Sequence, residues 1–395
     1  MKLMLIKLGK AFTTIRRDGI VVGGRRVLNY LSVFLKTILS FKSGSVLIIT
    51  AGVGDSAIYR AYNQAEELNM HGIATEVMIQ DNPFLPKFAD KFKVFVFHRT
   101  LFTPVVAKLI KKIKEQNKEM IFDSDDLVFE TKYVQQTDHY KNMSYFEKKQ
   151  YEKGVGEEIL KDSYVKVCTT STQFIASKLA GYGKKVFVIT NKLSAGWLNI
   201  ADELLKTRKK ERRAGDKIRI GYFSGTIGHN KDFATISHAL IEILEKYPEV
   251  EIFLAGPLKL EDEFNKYAPR FFRSPYVSRE KHFENIFNCD IILAPLEIGD
   301  DFSEGKSELK FLEAGLLEVP IVAARNQTFS NAISDGESGF LADHKEEWVA
   351  KLSKLIENKE LRMKIGNAAH KKSLQDYTTR NSHSEDYYNY LRVKI

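Results

Sequence analysis

Short, continuously apolar runs alternate with segments of helical periodicity along most of the chain. The run SVLIIT (45–50) is followed by a glycine turn, apolar positions at helical spacing from about Ser56 to Met70, and a second strand after Gly72. KVFVFHR (93–99), the helix PVVAKLIKKIKEQ and the strand EMIFDSDD (119–126) repeat the unit. A polar helical stretch at about 135–162, the strand YVKVCTTS (164–171), a helix at 172–180 and the strand KVFVIT (185–190) extend it. Unbroken apolar strands of this kind are expected where helices cover both faces of a parallel sheet. LLKTRKKERRAGDK (204–217) interrupts the alternation with dense basic charge and Gly215. Beyond it the pattern restarts with KIRIGYFSG, DFATISHALIEILEKYP, VEIFLAG, CDIILAPL, EGKSELKFLEAGLLEVPIVAA and a helical tail. The expected organisation is an arm at 1–42, an α/β domain at 43–203, a linker at 204–216 and a second α/β domain at 217–375. Two doubly wound domains of this sort are expected to place a ligand cleft at the carboxyl ends of their strands.

A length of 395 residues fits two ordinary domains, and 44% hydrophobic with 28% charged residues describes a globular chain. The net charge of +9 resembles a nucleic-acid signal until it is located. Residues 1–42 hold nine Lys or Arg against one acid, Asp18, so the body is nearly neutral. Nucleic-acid binding is disfavoured on that ground, since the body lacks interleaved basic and aromatic residues. Lys7 and Lys10 interrupt any signal-peptide core, and VLNYLSVFLKTILSF (27–41) is too short to span a bilayer and carries Lys36. Leu28, Leu31, Leu35, Ile38 and Leu39 at helical spacing beside Arg25, Arg26 and Lys36 form the pattern of a helix on an anionic membrane face. The alternative is a helix packed on the body with solvated charges. Cys168 and Cys289 are expected as buried thiols of a reducing compartment rather than a disulfide.

GYFSGTIGHNKDF, VEIFLAGPL, CDIILAPL, KSELKFLEAGLLEVPIVAA, ISDGESGFLA and LRMKIGNAA, in that order and spacing, resemble the C-terminal half of retaining GT-B nucleotide-sugar glycosyltransferases of family four. The closest likeness is to bacterial members that build surface polysaccharides. GDSAIYRAYNQAEEL and MIFDSDDLVFE are similar to N-terminal stretches of the same group. The resemblance implies a GT-B α/β fold, two Rossmann-like domains facing a central cleft, with the last helix (376–395) returning to the first domain. It also implies a nucleotide-sugar co-substrate, no metal and no other cofactor.

Retaining transfer must hold a diphosphate leaving group, stabilise its growing charge and grip the donor's hydroxyls. In FSGTIGHNK, Gly225 and Gly228 lie between a strand and a helix, where backbone N–H groups approach phosphate. The family commonly carries an Arg and, five residues on, a Lys in this loop. Lys231 stands at the Lys position and Thr226 at the Arg position, which leaves Lys306 or Lys310 to supply the missing charge; His229 joins the donor set. The alternative is a plain strand-to-helix turn capped by Asn230 or Asp232.

The family also uses two glutamates seven residues apart, the second on the ribose hydroxyls. LEAGLLEVPIV puts Glu313 at that second position, whereas Gly305 falls at the first, so either Glu304 or Glu308 serves the donor sugar, or neither does. Ser307 and Glu308 fall where family backbone amides meet the donor phosphates. Lys306 and Lys310, taken as i,i+4 neighbours on one helix, would repel unless an anion lies between them.

On the acceptor side, Gly52 and Gly54 follow the first strand and either admit phosphate close to the backbone or simply form a tight turn. Arg60 opens the first helix and either faces the cleft or lies on the surface, and His98 and Arg99 end a strand, a position from which α/β folds present functional groups, although an isolated His is otherwise read as structural. Asp123, Asp125 and Asp126 form an acidic cluster read as acceptor-side, with Asp123 or Asp125 as a proton acceptor; a metal site and a capped helix start are the alternatives.

The expected activity is transfer of a hexosyl or deoxyhexosyl group, with retention by front-side attack and without a covalent nucleophile. The acceptor is a lipid-linked or growing surface glycan at the inner face of the plasma membrane. The competing reading is a catalytically silent, nucleotide-sugar-binding scaffold of an assembly complex.

Overall fold

The computed structural model describes residues 2–40, 42–136, 140, 145, 148, 154–208, 217–225 and 230–395. Most of the polar stretch expected at about 135–162, and residues 209–216 of the expected linker, lie outside the described residues. The chain forms two compact units, Met1–Lys192 with Ser382–Ile395, and Leu193–Asn381. The division at Lys192 falls ahead of the charged stretch, because the helix Ala195–Arg208 belongs to the second unit.

Unit 1 is a parallel six-stranded sheet of order β2-β1-β3-β4-β5-β6, built from Val46–Thr50 (β1), Thr75–Ile79 (β2), Val94–His98 (β3), Glu119–Asp123 (β4), Val167–Thr170 (β5) and Lys185–Val188 (β6). β1 and β3 are buried along their whole length, as their unbroken apolar sequence requires. The order reverses between β1 and β3, whose registered partners include Thr50 opposite His98. Such a switch point opens a crevice at the strand carboxyl ends. The helical segment expected from Ser56 to Met70 begins at Asp55 and contains a π-helical turn, Ile58–Tyr62, which directs Tyr59 and Arg60 into the core.

The first helix, Lys2–Ile38, is longer than its apolar run and breaks at Gly19, where φ is 80°. Its second part is fixed to unit 1: Tyr30 donates to Asp81 Oδ2 at 2.7 Å, and Asn82 Nδ2 donates to the carbonyl of Thr37 at 2.9 Å. No described helix is long and apolar enough to cross a membrane. The last helix, Glu385–Lys394, packs Tyr387, Tyr388 and Leu391 into the cluster formed by Val46, Ile48, Val94 and Val96.

Unit 2 is a second parallel six-stranded sheet of order β12-β11-β10-β7-β8-β9, from Ile218–Phe223 (β7), Val250–Ala255 (β8), Phe271–Ser274 (β9), Ile291–Ala294 (β10), Ile321–Ala324 (β11) and Phe340–Ala342 (β12). The edge strands β9 and β12 are absent from the alternation read in the sequence. Here the order reverses between β7 and β10. Gly256, at φ 86°, is required just past β8, since a Cβ there would meet the carbonyl oxygen of Ser224 at 1.9 Å. Gly315 serves packing, because its Cβ would meet Ser373 Oγ at 2.4 Å on the helix Lys359–Asp376. Both cysteines are buried and neither is in a disulfide.

Candidate active site

At the unit 1 switch point, His98 closes β3 and is buried. Its Nδ1 lies 2.9 Å from Thr50 Oγ1 and its Nε2 lies 3.1 Å from Ser56 Oγ, so the ring is held on both edges. Ser56 Oγ also donates to both oxygens of Asp125, at 3.0 and 2.9 Å. Arg99 follows in the left-handed region, φ 43°, and its Nε pairs with Asp125 Oδ1 at 2.6 Å. Gly52 and Gly54 have open space around their Cβ positions, so no close approach of protein backbone imposes glycine there.

The acidic cluster resolves into three separate roles. Asp123 is fully buried and receives Arg60 Nη2 at 2.5 Å, Arg60 Nε at 3.3 Å and Thr169 Oγ1 at 2.6 Å. Arg60, neither cleft-facing nor on the surface, is sealed in the core, and it also donates to the carbonyl of Ile189. This is a structural ion pair with its lone pairs spent inside the fold. Asp123 is therefore not placed to take an acceptor's proton.

Burial alone would raise the Asp125 carboxyl. Arg99, the hydrogen bond and charge of His98, and the charge of Arg60 outweigh it and hold the group well below the usual carboxylate range. A carboxylate held that low is a weak base, so Asp125 is less suited to take a proton than a group in the ordinary range. Asp126 caps the turn Leu127–Phe129 through the N–H of Leu127 at 2.9 Å and pairs with Arg99 Nη2 at 3.4 Å. Arginines, one per carboxylate or shared, therefore meet all three acids.

In unit 2 the crevice between β7 and β10 is lined by the loops that follow them. Gly225 lies just past β7 and is exposed, whereas Thr226, Gly228 and His229 lie outside the described residues. Lys231 is exposed in the short helix Asn230–Ala234. Its neighbour Asp232 is buried and accepts from the N–H of Glu297 at 3.1 Å and the hydroxyl of Ser303 at 3.1 Å, which fastens the loop after β10 beside the loop after β7.

EGKSELKFLEAGLLEV is not one helix. Asp301–Glu304 and Leu309–Leu316 are separate helices, so Lys306 precedes the helix that carries Lys310 and the two are not i,i+4 neighbours on a common face. Lys306 Nζ lies 3.7 Å from the ring centroid of Phe302, and Lys310 Nζ lies 5.7 Å from that of Tyr222. Burial pushes the Lys310 ammonium below its ordinary value and Lys306 adds to this, while Asp232 and Glu313 act in the opposite direction. A half-desolvated cation of this kind gains most from an arriving anion. Glu304 is half-buried and accepts from the N–H of Gly299 at 3.2 Å; Ser307 is half-buried; Glu308 is only 2% exposed, which turns its side chain away from solvent.

Glu313 is the best-fixed residue of the stretch. Arg279 Nη1 donates to Oε1 at 2.6 Å, and His282 Nε2 lies 2.9 Å from Oε2. Arg279 is itself stacked over Trp197, 4.7 Å from the ring centroid, and His282 meets Phe223 edge-on at 5.2 Å. Neither Arg279 nor His282 is singled out by the sequence reading. The available signal is their i,i+3 spacing in SREKHFENIF, which puts both on one face of the helix Arg279–Phe287 behind the Ser278 cap.

Residues 205–372 match the family described as glycosyl transferases group 1, a stretch that lies wholly within unit 2. No curated protein matches the chain. Among solved structures, HepE of Anabaena in complex with UDP is similar at a TM-score of 0.58 and 14% identity, covering 88% of this chain and 100% of that one. HepE in complex with UDP-glucose gives 0.56 and 14%, covering 89% and 100%. The sucrose-phosphate synthase of Thermosynechococcus elongatus gives 0.58 and 10%, covering 89% and 98%. These likenesses establish the fold, two parallel Rossmann-like sheets of the GT-B kind.

Proposed function

We propose that the chain, whose residues 205–372 match the glycosyl transferases group 1 family, moves a hexosyl group from a nucleotide sugar, with retention, onto a lipid-linked or growing surface glycan at the cytoplasmic face of the plasma membrane. The observation that carries the reading is Glu313, a carboxylate on the helix after the β10 loop whose two oxygens are oriented by Arg279 and His282. A bidentate carboxylate held in this way suits the paired hydroxyls of a ribose. UDP and UDP-glucose bound to HepE support a UDP-hexose as donor.

Lys231, Lys306 and Lys310 then face the diphosphate, Gly225 and Ser307 offer backbone N–H groups to it, and Glu304 contacts the donor sugar. Glu308, buried like Glu313, stays beside Glu304 as a candidate for the donor sugar. As the anomeric carbon leaves the phosphate oxygen, the acceptor oxygen bonds to it from the same face and its proton passes to that departing phosphate. With Asp123 and Asp125 less suited to take the proton, the phosphate is the base of choice. His98 and Arg99 line the acceptor side in unit 1.

The test is turnover of UDP-glucose by the full chain and by Glu313→Ala. A fall of roughly 10²- to 10³-fold, with loss of thermal stabilisation by UDP, is expected where a buried bidentate contact is removed. Turnover near the unsubstituted level would remove Glu313 from the site. Thr226 and Gly305, which replace an Arg and a Glu of the family pattern, favour the silent-binder reading. Slow release of free sugar from the donor by the full chain would exclude that alternative.

A further inference from the structure

The second part of the first helix has two faces of opposite character. Gly23, Tyr30 and Thr37 fall on one side, where Thr37 is buried and both Tyr30 and Thr37 are bonded to the body through Asp81 and Asn82. At 100° per residue, Leu28, Leu31, Leu35 and Leu39 fall within an arc of roughly 80° on the other side. They are 68%, 45%, 55% and 68% exposed, a ridge of large apolar side chains that unit 1 does not cover. The exposed side chains of Arg25 and Lys36 lie along one flank of the ridge, and no acid occurs between Gly19 and Lys42.

We infer that this leucine ridge docks on an anionic lipid surface, with the helix lying in the plane of the membrane and its opposite face holding unit 1. The inference deepens the proposed membrane-face location and rests on it, but not on the transfer reaction. The charge pattern selects lipid over a second copy of the chain. Two such ridges brought together would set Arg25 and Lys36 against their own kind with no acid to offset them, whereas anionic headgroups neutralise both. The depth is right as well: leucines on one face of a helix immerse to the acyl boundary while flanking cations remain at headgroup level. The bonds to Asp81 and Asn82 make the helix a fixed part of unit 1, so docking orients the unit rather than tethering it loosely.

Co-sedimentation of the full chain with phosphatidylglycerol–phosphatidylethanolamine vesicles, and with pure phosphatidylcholine vesicles, tests this. The chain is expected to bind the anionic vesicles, more weakly at high salt, and Leu31→Gln/Leu35→Gln to bind them about tenfold less. Arg25→Gln/Lys36→Gln is expected to lose the preference for phosphatidylglycerol. Thermal stabilisation by UDP, read on the same variants, should be unchanged; this shows that they are folded and keeps the donor-site reading separate. Undiminished vesicle binding by the leucine variant would overturn the inference. So would a dimer in sedimentation velocity without lipid that the same variant converts to a monomer, because the ridge would then be a self-association surface.

Discussion

Asp123 in unit 1 and Glu313 in unit 2 are both carboxylates paired with an arginine, yet they are built differently. Asp123 is sealed, 0% exposed, with Arg60 and Thr169 filling its lone pairs. Glu313 keeps a side-chain exposure of 11% and is oriented by two donors, Arg279 and His282, that are themselves packed on aromatic rings. The contrast teaches that an acid–arginine pair marks function only where the carboxylate still has a face to offer. A fully enclosed pair serves the fold, and removing one member leaves an uncompensated charge.

The comparison can be broken most sharply at the sealed pair. Asp123→Ala should cost about 3–5 kcal/mol of unfolding free energy, because Arg60 is left charged in the core; a denaturation midpoint like that of the unsubstituted chain would show that Asp123 is not structural. Glu313→Ala should do the reverse, lowering turnover by roughly 10²- to 10³-fold with little change in the same midpoint. Arg279→Met should weaken UDP binding about tenfold, because it frees rather than removes the carboxylate, and titration calorimetry would reveal it.

The smallest expected effect concerns pH. The Asp125 carboxyl is held below its ordinary value in the folded chain, so its contribution to stability is present above about pH 4 and is lost as pH falls through the lower folded value. Asp125→Asn should therefore destabilise the chain more at pH 7 than at pH 3. Equal losses at both values would mean that Arg99 and His98 do not stabilise the charged form.

Much of the fold is written locally. The central strands are unbroken apolar runs, and β1, β3, β10 and β11 follow directly from them. The edge strands β9 and β12 escape such a reading because they are short, and β9 is largely exposed, so they carry little periodicity. The π-turn at Ile58–Tyr62 has no sequence signal, and it decides that Arg60 points inward. At the proposed donor site, Glu313 is chosen from sequence because its neighbours in LEAGLLEVPIV fix its place in the family pattern. Its partners are not, since Arg279 and His282 lie 34 and 31 residues upstream and meet it only through tertiary packing. The separation of Lys306 from the helix of Lys310 was likewise hidden, because Glu308 starts a new helix inside what reads as one periodic stretch.

The return of residues 382–395 to unit 1 bears on how the protein is made. Ser382 and Tyr388 donate to Glu67, His71 stacks on Tyr388 at 4.4 Å, and Lys394 pairs with Glu119 at 2.9 Å. During synthesis all of unit 2 leaves the ribosome before this segment does. Unit 1, although it is translated first, thus waits with part of its apolar cluster uncovered until the last helix emerges, while unit 2 can be completed ahead of it.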